Sequence, residues 1–173
     1  MARISPNAQE ILGKDFLDTL NASDRCDPLC EVVAAGWVLD GGATLLSAFR
    51  ESYVGDRASF SGIGSYEAAV NGRGVPDLDV TDTGDEQTRM LMRRGSAFAW
   101  DALHAASVLP WAPPLLARIS AAPILMDPGT WTGYVTFFSS RFEGDLGLAA
   151  SADLPGIQIV LSSIDCENPL PVM

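Results

Sequence analysis

From Asp85 to Val108 the chain contains no proline, and Leu91, Phe98, Trp100, Ala102, Leu103 and Ala106 spread apolar surface over more than one face of a helix. Such a helix is stable in water only when other elements cover it on several sides. The pattern therefore predicts a long central helix over 85–108, with the rest of the protein built around it. In front of it, Thr83-Gly84-Asp85-Glu86 has the spacing of a capping box, in which a Thr hydroxyl and a Glu carboxylate satisfy unpaired amides at a helix start. Gly95-Ser96 marks the place where this helix is expected to bend.

At 173 residues, 47% of them hydrophobic, the chain holds enough apolar surface for one well-buried core and too few residues for two. Residues 1–173 are read as a single domain. Ser5-Pro6 opens a helix over 6–20 carrying Ala8, Ile11, Phe16 and Leu20 at helical spacing. A second helix starts at Asp27-Pro28 and is stopped by Gly41-Gly42, and a third covers 43–54, burying Leu45, Leu46, Phe49 and Tyr53. Residues 55–84, rich in Gly, Ser and Asp, read as the main surface loop with a short helix near 66–70. A short helix over 114–120 follows the central one.

Past residue 122 the texture changes. Asp127-Pro128-Gly129 is a turn, Trp131 to Phe142 is rich in aromatic and β-favouring residues, Glu143-Gly144-Asp145 turns back, and Ile157 to Ile164 is a further strand. The expected class is α+β: a mainly helical part over about 6–120 packed on a C-terminal antiparallel β meander over about 122–165.

The net charge of −11 repels phosphate backbones and anionic membrane surfaces, so neither nucleic acid nor membrane is an expected partner. The charge is unevenly placed. Asp77, Asp79, Asp82, Asp85 and Glu86 crowd one segment without a base, whereas Arg89, Arg93, Arg94 and Arg118 make the following stretch the positive exception. No apolar run reaches the length of a membrane span or a signal peptide, which leads to the expectation of a cytoplasmic protein with Cys26, Cys30 and Cys166 reduced.

Candidate chemistry is sparse. Asp101 and His104 lie three apart on the central helix, a spacing at which a carboxylate can orient an imidazole for general-base work, with Arg93 or Arg94 to hold an anionic substrate. A surface ion pair or a satisfied core histidine explains the same spacing more simply. Cys26, Cys30, Cys166 and His104 are weak zinc candidates, because the last two are remote in sequence. An EF-hand loop counted from Asp79 places Gly84 correctly but Met90 where a bidentate Glu is required, so that motif fails. Gly62-Ile63-Gly64 and Gly72-Arg73-Gly74 lack the strand and spacing of phosphate-binding loops. No metal and no cofactor is expected.

Two features point toward a macromolecular partner: Trp111 in the proline-rich connector 110–114, and the apolar tail with Pro169, Leu170 and Val172. The tail serves equally well folded back on its own core. The leading expectation is a non-catalytic acidic protein-binding domain, of the inhibitor or immunity type, that covers a basic partner with Asp77, Asp79 and Asp82. The alternatives are a subunit of a homomeric or viral-type assembly, contacting neighbours through Trp111 and the tail, and a small enzyme using Asp101 and His104.

Overall fold

The structure is a computed structural model that describes residues 2–144 and 156–172. Asp145 of the expected turn and Met173 of the tail lie outside the described residues. In chain order the elements are β1 (Arg3–Ile4), α1 (Pro6–Leu12), α2 (Asp27–Ala35), β2 (Trp37–Asp40), β3 (Ala43–Leu46), α3 (Ser47–Ser52) and α4 (Ile63–Val70). Then come β4 (Arg73–Gly74), α5 (Gly84–Ser107), β5 (Leu115–Ile124), β6 (Asp127–Ser139) and β7 (Ile157–Ser162). Helices dominate the N-terminal part and antiparallel strands the C-terminal part, so the class is α+β.

The central helix forms as the apolar pattern predicts, with Leu91, Met92, Phe98, Ala102 and Leu103 buried. It runs without interruption through Gly95. A Cβ there would sit 2.9 Å from Ile119 Cγ2 and 3.1 Å from Val135 Cγ2, so this glycine lets the helix lie close against β5 and β6 rather than bending it. The capping box does not form: the Thr83 side chain makes no capping hydrogen bond, and the Glu86 carboxylate instead reaches forward to Arg89.

The N-terminal helices are shorter than the periodicity implies. α1 ends at Gly13, and the chain enters a single 3-10 turn at Leu17–Thr19, with Phe16 and Leu20 still buried. α2 stops at Gly36, five residues before Gly41. Residues 37–46, expected to split between two helices, form a β hairpin. Gly41 and Gly42 have φ of 56° and 86°, and two consecutive positive φ values are what a tight two-residue hairpin requires. The glycines turn a strand instead of ending a helix. The short helix of the surface loop, α4, begins at Ile63 rather than near 66.

Residues 115–120, expected to be helical, belong to the ten-residue strand β5. Leu115, Ala117, Ile119 and Ala121 all face α5, a period of two that pairing on both sides of the strand enforces. The strand order is β1-β7-β5-β6-β4, so β7 returns to lie beside β5 and the sheet is not a sequential meander. The β5–β6 turn falls at Leu125-Met126. Asp127 already pairs with Ile124, and its carboxylate accepts from Gly129 N and Thr130 Oγ1.

One apolar cluster draws on residues from Ala8 to Leu170. At its centre Phe137 meets the rings of Trp37 at 5.6 Å and Phe98 at 5.3 Å edge-on, and Trp37 Nε1 donates to the Ala102 carbonyl at 2.9 Å.

The hairpin is joined to the sheet by two fully buried polar side chains, Glu67 of α4 and Asn71 at its C-cap. Glu67 accepts from Thr44 N at 2.8 Å, Ser139 N at 2.7 Å and Ser139 Oγ at 2.9 Å. Asn71, one turn on, accepts from Leu46 N at 2.9 Å and donates to the carbonyls of Thr44 and Phe137 at 2.9 and 3.3 Å. The two side chains thus occupy the edges of β3 and β6 as a strand would. Removing either leaves buried main-chain groups unpaired, each such loss being worth about 1–3 kcal/mol. Asn71→Ala and Glu67→Gln are therefore each expected to lower unfolding stability in urea by about 2 kcal/mol or more, with a non-additive double variant because both hold Thr44.

Candidate functional site

The residues singled out for chemistry separate in space. Asp101, on the third quarter of α5, is held in a two-pronged ion pair by Arg25, whose Nε and Nη2 donate at 2.7 and 3.0 Å. His104, one turn further, faces the C-terminal segment, and its Nδ1 lies 3.1 Å from the Cys166 carbonyl oxygen. A carbonyl only accepts, so Nδ1 carries the proton in that contact. The carboxylate and the imidazole each engage another partner, as the simpler reading of their spacing holds, and the candidate dyad is not assembled.

Arg93 and Arg94 line a cleft of about 390 Å³ between α5, the segment 23–25 and Asp82, together with Arg25, Glu86, Arg89 and Met90. Neither Asp101 nor His104 is in its lining. Each arginine is already engaged. Arg93 donates to Asp24 at 2.6 and 2.8 Å and to the Thr19 carbonyl at 2.8 Å, Arg94 grips Asp79, and Arg89 pairs with Glu86 and donates to the Ile11 carbonyl at 3.0 Å. Arg89 and Arg93 thereby tie the N-terminal segment to the central helix, and Arg94 ties the acidic loop to it.

The acidic loop is consequently an ordered object. Val75 is buried, and its N–H donates to the Gly133 carbonyl at 2.9 Å. Asp77 O accepts from Val80 N at 2.9 Å, which closes a β turn with Leu78 and Asp79 at its corners. Arg94 Nη1 donates to Pro76 O at 2.9 Å and to Asp79 Oδ1 at 2.7 Å, and Nη2 to Asp79 Oδ2 at 2.5 Å. Leu78 projects from this pinned turn fully exposed, with Asp77 half-buried beside it and Asp82 exposed. Leu78 is not distinguished by the sequence. Its signal is a lone apolar side chain between two aspartates, which has no direction until the turn assigns one.

The hydrogen bonds from Arg94 hold the Asp79 carboxyl below its ordinary value of 3.8. Since the folded state favours the ionised form, this latch is complete above the ordinary carboxylate range and is lost as pH falls through the lowered value.

The other candidates are placed as follows. Trp111 is exposed beyond the end of α5, three residues after the exposed Val108. Leu170 is only 3% exposed and belongs to the core, which removes it from the partner-facing set. The flanking backbone is pinned as well: Trp100 Nε1 donates to the Asn168 carbonyl at 2.8 Å, and Ala22 N to the Pro171 carbonyl at 2.9 Å. Pro169 and Val172 remain on the surface. Burial pushes the thiols of Cys26, Cys30 and Cys166 upward, most strongly at Cys166. Among the described residues no three His, Cys, Asp or Glu side chains are grouped to hold a metal ion, and no helix is long and apolar enough to cross a membrane.

The chain matches no known family model, no curated protein and no solved structure.

The two central arginine pairs differ in environment, and this difference is testable. The Asp24 side chain is 10% exposed and that of Asp79 is 71% exposed. Arg93→Gln strands a nearly buried carboxylate and is expected to lower stability by about 2–3 kcal/mol. Arg94→Gln is expected to lower it far less, because the pair is open to solvent, while returning the Asp79 titration, followed by NMR, to the ordinary aspartate range.

Proposed function

We propose that this chain is a non-catalytic acidic protein-binding domain, of the inhibitor or immunity type, and that it presents the 76–82 turn to a basic partner. The observation that carries this reading is Leu78. A fully exposed apolar side chain stands at the corner of a turn anchored on one side by buried Val75 and on the other by the Arg94–Asp79 pair. Exposed leucines on mobile loops are unremarkable, but a held one costs little further ordering entropy when a partner closes over it.

The surroundings favour a basic partner. Asp77 and Asp79 flank the leucine in the turn, exposed Asp82 lies four residues on, and the acidic start of α5 with Asp85 and Glu86 follows. A net charge of −11 steers positive surfaces toward the molecule over several ångströms, and the local acids then set the register of docking. The apolar corner supplies the contact that excludes water. The internal use of Arg25, Arg93 and Arg94, and the separation of Asp101 from His104, leave the candidate reactive groups named in the sequence without a shared site among the described residues.

Immobilised protein is expected to retain a basic protein from extract of the producing cell at low salt and to release it as salt rises. Leu78→Ser combined with Asp82→Lys is expected to weaken retention of that same species by about tenfold or more, with an unchanged unfolding midpoint. Retention indifferent to salt, or equal retention by the variant, overturns the proposal.

A further inference from the structure

The hairpin β2–β3 has one edge closed and one edge open. Asp40 and Ala43 bracket the two-residue turn, so Asp40–Ala43 and Val38–Leu45 are the hydrogen-bonded pairs of this ladder, and the Ser47 N to Gly36 O bond of 2.9 Å continues the alternation. The main-chain groups of Thr44 and Leu46 therefore point outward from β3, where Glu67 and Asn71 take them. By the same alternation the N–H and C=O of Trp37 and Leu39 point outward from β2. β2 pairs only with β3, and among the described residues nothing bonds those outward groups. The strand contains neither lysine nor proline, the usual guards of an edge, and its side chains Val38 and Leu39 are 37% and 55% exposed.

We infer that this edge pairs with the same edge of a second copy of the chain, giving a two-fold dimer with an antiparallel sheet β3-β2-β2-β3. The spacing of the open groups is self-complementary. With the two-fold axis at Val38, Trp37 of one copy faces Leu39 of the other, and each such pair exchanges both of its hydrogen bonds. Val38 packs on Val38 of the second copy across the axis.

Charge agrees with this register. Asp40 falls opposite Gly36 of the second copy. Around Asp40 stand Arg50, paired to its carboxylate at 2.5 Å, and Arg57, which donates to the Asp40 and Gly41 carbonyls at 3.2 and 2.6 Å. Around Gly36 lies the C-terminus of α2, which has no basic residue in its last turn and carries exposed Glu31 one turn earlier. The locally positive end of one edge thus meets the negative end of a helix dipole in the other copy. The strongly negative molecules still repel each other as wholes, a repulsion that salt screens.

Dimerisation is therefore expected to strengthen with salt, whereas capture through the 76–82 turn weakens with it, so the two proposals fail independently. In sedimentation equilibrium of the full chain, the mass is expected to approach twice the monomer value as concentration rises, and at lower concentration in high salt. Val38→Lys places like charges on the axis and is expected to weaken association about tenfold or more without altering the fold. In an antiparallel non-hydrogen-bonded pair the Cα atoms lie about 4.5 Å apart, within disulfide range. Val38→Cys is accordingly expected to give a cross-linked dimer on non-reducing gels that wild-type protein, with its three native cysteines, does not. A wild-type monomer at all concentrations and salts, or the absence of a Val38→Cys cross-link, overturns the inference.

Discussion

The arrangement depends on two buried polar side chains, one on a short helix and one at its end. Glu67 of α4 and Asn71 at its C-cap lie one turn apart, and between them they satisfy main-chain groups of Thr44, Leu46, Phe137 and Ser139. Those groups belong to two different strands whose edges would otherwise be buried without partners, a state proteins rarely tolerate. The helix thereby does the work of a strand. It fixes where the β2–β3 hairpin stands against the sheet, and with it the position of Trp37 against Phe137 and against the Ala102 carbonyl of α5.

The same economy governs the charges. Arg93 and Arg94 of α5 are committed to Asp24 of the N-terminal segment and Asp79 of the loop before the helix, and Arg25 of the N-terminal segment to Asp101 of α5, so a molecule with an excess of eleven negative charges uses much of its positive charge in internal ties. The ties have unequal weight. The Arg93–Asp24 pair is shielded and structural, whereas the Arg94–Asp79 pair is open to solvent and acts mainly to hold the turn that carries Leu78. The proposed binding role rests on this held leucine and the acids around it, because recognition needs direction and charge rather than a convergent set of reactive groups.

Much of the fold was legible in the sequence, and the parts that were not share one cause. The central helix was readable because its apolar residues recur at helical spacing over six turns, and the late strands because β-branched and aromatic residues cluster between turns. Residues 37–46 and 115–120 were misread as helices. In the first case Gly41-Gly42 marks a helix stop and a hairpin turn equally well until the chain on each side has a partner. In the second, Leu-Leu-Ala-Arg-Ile-Ser-Ala-Ala carries residues common in helices, and only pairing with β6 and β7 makes it a strand. The site followed the same rule. The acidic run was visible, but Leu78 gained meaning only when Arg94 fixed the turn, and Asp101 and His104 lost theirs when Arg25 and the Cys166 carbonyl took them.

The sequence by itself determined the α+β class, the central helix, the excess of acid and its concentration before that helix. These follow from local periodicity and composition, which need no partner to be read. Tertiary structure alone decided the strand order, the hairpin, the closing of two strand edges by Glu67 and Asn71, the burial of Leu170 and the exposure of Leu78 and of the β2 edge. Each of these depends on which groups distant in the chain meet. A hydrogen bond or a buried surface between remote residues leaves no mark in the sequence around either one.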